Sequence, residues 1–168
     1  MDNYIMGARG GVDNFIHETC ILQRPELITL GNHCSIDGFL WCEAGMQLGD
    51  HVSIGPHVSV IGSSRTYLEI HNFVKLGAGC RIICDYDEYL IPQYPLLQPV
   101  TLESFVTIGA NAVIMPGVIL REGTLIMPGS VVNKDTEPWS IYGGNPASTV
   151  GRRNQNSVLE YAKRLGYS

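Results

Sequence analysis

Aliphatic residues recur along this chain at every sixth position. From Leu30 the series runs through Ile36, Cys42, Leu48, Ile54 and Val60. It resumes after a four-residue slip at Ile70, Leu76 and Ile82, and after a longer break at Leu102, Ile108, Ile114, Leu120, Ile126 and Val132. Fourteen of these fifteen positions are Leu, Ile or Val, against about four expected from composition, so the period is real. A helix with 3.6 residues per turn cannot generate it.

The position after the aliphatic residue is often glycine, as at Gly31, Gly49, Gly55, Gly77 and Gly109. The fifth position is small or branched, as at Cys34, Val52, Val58, Val74, Cys80, Val106, Ala112 and Val118. This pattern predicts short strands joined by tight turns, with the aliphatic and fifth positions pointing into a narrow interior. Three hexapeptides make a triangular coil of about 18 residues, stacked on its neighbours at ~4.8 Å with parallel pairing. The predicted class is all-β, a parallel β-helix.

Two stretches break the period. Residues 62–67 read as a small surface bulge. Residues 84–99, CDYDEYLIPQYPLLQP, hold three prolines and three tyrosines and form no regular coil. They are predicted to protrude as a loop, and long insertions in compact repeats are often functional. Beyond Val132 the chain is punctuated by Pro and Gly. A short helix is then predicted from Ser157 as N-cap to Leu165, covering the open end of the coil. The expected organisation is a β-helix over 1–155 and a capping helix over 156–168.

Composition narrows the function. The 168 residues suit one domain, with 45% hydrophobic and 16% charged residues. A net charge of −5 argues against general binding to nucleic acid or anionic membrane. Five cysteines without a CxxC pair fit neither a disulfide scaffold nor a zinc ribbon. No membrane-spanning run or signal-peptide core is apparent, so a cytoplasmic protein is expected.

The hexapeptides, together with VTIGANAVIMPGVILREGTLIMPGSVVNKD and IYGGNPASTVGRR, resemble the sugar acetyltransferases of the hexapeptide-repeat superfamily over roughly residues 26 to 153. The resemblance implies a left-handed coil, an exception to the right-handed rule for parallel crossovers. RIICDYDEY further resembles members that acetylate nucleotide-linked or surface-polysaccharide sugars. The family implies acetyl-CoA as co-substrate, no metal, and a homotrimer with active sites between neighbouring β-helices. Carried over by position, Thr107 and Ala110 would border the pantetheine arm, Pro128, Asn133 and Lys134 would lie further along the groove, and Arg152 or Arg153 would meet CoA phosphates. Ala110 and Pro128 fit equally as ordinary turn residues, whereas arginine suits phosphate through its charge and fork of donors.

Acetyl transfer needs a base for the acceptor's proton and donors for the thioester oxyanion. In the galactoside and maltose branch of the family the catalytic histidine sits in the long loop. Here the matching position is about Asp87, and no histidine follows His71. The sequence therefore departs from that branch. His57, at a corner of the hexapeptide beginning at Ile54, is the candidate base. Its stacked neighbour one coil later is Gly79, which would leave room for substrate. His33 and His51, three hexapeptides apart, stack on another corner with Phe73 next, and His71 is a weaker candidate. Asp85, Asp87 and Glu88 are candidates to orient the base or bind sugar hydroxyls, with a solvated acidic loop as the plain alternative. The predicted activity is acetyl transfer to an amine or hydroxyl of a sugar acceptor. The competing readings are a non-catalytic β-helix assembly protein and a metal-dependent hydratase.

Overall fold

The computed structural model describes residues 3–85 and 98–168. Strands of two to six residues form three sheets, the faces of a triangular prism. One coil shows the scheme: Ile28–Leu30 lies on the first face, Ser35–Ile36 on the second and Trp41–Cys42 on the third. A strand this short has few hydrogen bonds of its own. Its backbone groups are satisfied by the coils above and below, in parallel register.

The register explains the sequence period and its slips. Leu30 pairs with Leu48, the spacing of three hexapeptides that the period requires. Leu48 pairs with Ile70, a wider interval, because residues 62–66 make an extra turn closed by the Thr66 hydroxyl, which accepts from Ser63 N–H at 2.9 Å. Ile70 pairs with Leu102, wider still, so everything between the third-face strand Arg81–Ile83 and the first-face strand Val100–Leu102 is inserted at one corner. The first bulge is as expected. Of the expected loop, residues 86–97 lie outside the described residues.

The coil also begins earlier than the period suggested. Gly10, Ile16 and Leu22 pair with Leu30, Ile36 and Cys42, each at slightly more than the spacing of three hexapeptides. A 3-10 turn at Pro25–Leu27 lengthens this coil and shifts its aliphatic positions off the series counted from Leu30. His17 is therefore part of the first coil, its N–H donating to Ile36 O at 2.9 Å.

One aliphatic core runs the length of the prism, with Ile36, Ile54, Leu68, Ile82, Ile108 and Ile114 fully buried. Each such side chain contributes roughly 1.5–3 kcal/mol by leaving water. Among the described residues no buried side-chain nitrogen or oxygen lacks a hydrogen-bond partner.

The C-terminal helix, Gln155–Arg164, differs from expectation in two ways. Its N-cap is Asn154, whose side-chain oxygen accepts from Ser157 N–H at 3.2 Å, so it starts ahead of the predicted Ser157. It also packs along the flank of the prism, not over its end. Tyr167 meets the ring faces of Phe73 and Phe105 edge-on at 5.4 and 5.2 Å, and Lys75 Nζ lies 4.8 Å from the Tyr161 ring centre. At the C-terminal end, the edge of the first face is closed by residues 135–136. Asp135 Oδ1 accepts from Ile119 N–H at 2.9 Å, and Thr136 Oγ1 accepts from Arg121 N–H at 2.9 Å.

Candidate active site

His57 stands at the corner between the second and third faces, in a left-handed turn with φ 58°. The same place in successive coils is held by Phe39, His57, Gly79, Asn111 and Gly129, all at positive φ. The backbone ties them together: His57 N–H donates to Gly38 O at 3.0 Å, Gly79 N–H to Pro56 O at 2.9 Å and Asn111 N–H to Ala78 O at 2.9 Å. The expected stacking of His57 under Gly79 is thus present. Below it, the imidazole lies flat on Phe39, with ring centres 4.8 Å apart and planes within 4°. His57 is exposed, and among the described residues its ring has no ion-pair or hydrogen-bond partner.

Above His57, the space at Gly79 is shared. A Cβ there would collide with Asn111 Oδ1, so the Asn111 amide lies over the glycine. Asn111 adds a polar group to this corner that the sequence pattern did not single out. The available signal was its place in the hexapeptide, since Asn tolerates the left-handed turn. One residue earlier, Ala110 shares the same corner. Its N–H forms no hydrogen bond among the described residues. A Cβ on Gly77 would come within 2.6 Å of that nitrogen, so the coils approach closely there.

Not all cofactor candidates come together. Ala110 and Pro128 stack at the His57 corner, where Gly129 N–H donates to Ala110 O at 2.9 Å. Asn133 and Lys134 are exposed on the next corner, beyond the third-face strand Val131–Val132. Arg152 ends the last second-face strand with its side chain 69% exposed, held to Pro138 O and Ser140 Oγ at 3.1 Å. Arg153 turns under the helix. It donates to Phe105 O at 2.7 Å, Gly123 O at 3.1 Å and Thr107 Oγ1 at 3.0 Å, and burial lowers its pKa. The fork expected to reach phosphate is largely committed within the chain.

The remaining candidates divide similarly. Asp85 is half-buried beyond the third-face strand Arg81–Ile83, while Asp87 and Glu88 lie outside the described residues. His33 and His51 stack at 4.8 Å, and His51 stacks on Phe73 at 4.7 Å, as their spacing in the sequence predicted. Their rings pack face to face rather than converging on a point, and among the described residues no three side chains are grouped to hold a metal. His71 has what His57 lacks: Glu69 Oε1 lies 3.1 Å from its Nε2.

No family model matches the chain. A curated dTDP-4-amino-4,6-dideoxy-D-glucose acyltransferase from Escherichia coli is 27% identical over 142 residues, covering 76% of this chain and 73% of that protein. A probable macrolide acetyltransferase from Lysinibacillus sphaericus is 40% identical over 75 residues, 45% of this chain, and the match spans 42% of that protein's length. Among solved structures, the N-acyltransferase AntD from Bacillus cereus, in complex with dTDP and 3-hydroxybutyryl-CoA, superimposes with a TM-score of 0.81 at 22% identity, covering 93% of this chain and 89% of that one. The hexapeptide-repeat acetyltransferase VCA0836 of Vibrio cholerae, complexed with acetyl-CoA, gives 0.60 at 24% identity, with 86% and 73% covered. The chain is thus similar in sequence to acyltransferases and shares the fold of the hexapeptide-repeat proteins among them. The fold of these hexapeptide-repeat proteins is the left-handed parallel β-helix, which fixes the hand of the coil. No helix among the described residues is long and apolar enough to cross a membrane.

Proposed function

We propose that the chain transfers an acetyl group from acetyl-CoA to a sugar amine or hydroxyl, with a nucleotide-linked sugar as acceptor. The observation that carries this reading is the corner itself. It puts an exposed histidine on one coil and, two coils later, the Asn111 amide and the Ala110 N–H, which has no hydrogen-bond partner among the described residues, about 10 Å away at ~4.8 Å per coil. The AntD complex with dTDP and an acyl-CoA supports the acceptor class. The expected setting is a homotrimer in the cytoplasm, and nothing in the chemistry calls for a metal.

In the proposed reaction the acceptor nitrogen or oxygen attacks the thioester carbonyl, the carbon–sulfur bond breaks, and CoA leaves as the thiol. His57 takes the acceptor's proton and returns it to the departing sulfur. The Ala110 N–H serves the oxyanion, because the Gly79 N–H is already committed to Pro56 O. Ala110 and Pro128 border the pantetheine, and Thr107 braces that wall from the neighbouring face. Asn133 and Lys134 lie further along the groove, and Arg152, the more exposed arginine, meets the phosphates, with Arg153 holding the strand end. Asp85, Asp87 and Glu88 are assigned to acceptor hydroxyls.

The test is release of free thiol from acetyl-CoA with nucleotide-linked amino sugars and with simple glycosides. His57→Ala should lower turnover roughly 10²–10⁴-fold with CoA affinity unchanged. Near-normal turnover would remove His57 from the mechanism. Failure to bind acetyl-CoA in a calorimetric titration would instead favour a non-catalytic assembly role. One observation favours a second base. Glu69 Oε1 accepts from His71 Nε2 and so orients the ring, the arrangement a positioned base needs. Loss of turnover in His71→Ala, with His57→Ala active, would transfer the role.

A further inference from the structure

Between the helix Gln155–Arg164 and the second face lies a cavity of about 240 Å³. Its walls are apolar, formed by Phe73 and Phe105 from the prism and Val158 and Tyr161 from the helix. Lys75 and Arg153 also line it, with His51, Thr107 and Ser157 as neutral polar neighbours, and no Asp or Glu does. Neither cation is in an ion pair among the described residues. Lys75 rests against the Tyr161 ring, and Arg153 bonds only to neutral oxygens. Arg153 is partly desolvated there without a counter-charge, and Lys75 beside it adds positive charge, so the cavity favours an anion.

The size narrows the ligand. A dry apolar cavity of about 150 Å³ accommodates benzene, and 240 Å³ equals about eight waters' share of liquid volume. That is room for one ring with a small polar group. We propose that this cavity is a binding site for a small aromatic carboxylate, its ring between Phe73, Phe105 and Tyr161 and its carboxylate on Lys75, with the committed Arg153 guanidinium adding charge nearby. The site stands on the flank under the helix, apart from the corner of His57, and shares only Thr107 with the proposed donor groove.

The test uses the full chain and benzoate as the probe, followed by calorimetry, with benzamide as the neutral match in shape. Benzoate should bind at least tenfold more tightly than benzamide. Lys75→Gln should remove most of that difference, and Val158→Phe should abolish binding by filling the cavity. Saturating CoA should leave the benzoate affinity unchanged. The proposal is overturned if benzoate does not bind or if benzamide binds equally well. It is also overturned if Lys75→Gln leaves the preference intact, or if CoA displaces benzoate and so places it in the donor groove. Lys75 is exposed and outside the core, so its variant tests the idea even if Val158→Phe fails to fold.

Discussion

At His57 two local energies oppose one another. A side chain at φ 58° costs roughly 1–2 kcal/mol relative to glycine, while stacking on Phe39 returns about 0.5–1.5 kcal/mol. His57→Gly should therefore unfold within about 1 kcal/mol of the parent, and its loss of turnover would report chemistry rather than folding. Thermal denaturation beside the thiol-release assay checks both halves, and a drop of several kcal/mol would show that the residue is structural. At Arg152 the exposed guanidinium leads to a second expectation. Arg152→Ala should raise the KM for acetyl-CoA several-fold with little change for the acceptor, and an unchanged cofactor KM would place the phosphates elsewhere.

The helix is held by its cap, by one buried residue and by aromatic edges. Asn154→Ala removes the acceptor for Ser157 N–H and should cost about 1 kcal/mol. Hydrogen exchange should show the loss as faster exchange of the helix amides while those of the coil core hold steady. Equal loosening of both would mean that helix and prism open as one unit. Of the helix residues only Ala162 is fully buried, which suits an element that leaves a cavity beneath it. Close approach also shapes the Trp139 corner. A Cβ on Gly123 would collide with the Trp139 ring, and the bare glycine lets that ring come within 6.0 Å of Phe105.

For the molecule as a whole, the five buried cysteines set a pH limit. Burial pushes the thiols of Cys42, Cys80 and Cys84 from 9.0 up to about 12. Their protonated form is thus favoured by folding. That stability is fully present below about pH 9 and is lost as pH rises towards 12, where the unfolded chain has released protons that the folded one keeps. Denaturant midpoints should fall across this window, and a flat profile would contradict the assigned burial. At pH 8 these native thiols should also react with a disulfide reagent about a thousandfold more slowly than in the unfolded chain, in keeping with their smaller thiolate fraction.

The hexapeptide period determined the core, because each inward residue must meet its like one coil later. It carried the stacking of His33, His51 and Phe73 and of His57 under Gly79, since equal spacing in sequence becomes vertical neighbourhood in a coil. It failed at Gly10, Ile16 and Leu22, where the turn at Pro25–Leu27 moved the count without moving the register. The tertiary structure alone decided matters that no period encodes. These include where the helix docks, that Arg153 commits its donors to Phe105, Gly123 and Thr107, that Asn111 lies over Gly79, and that Glu69 reaches His71. Each depends on the reach of a side chain across coils or onto a flank, which is set by distances in space rather than by intervals along the chain.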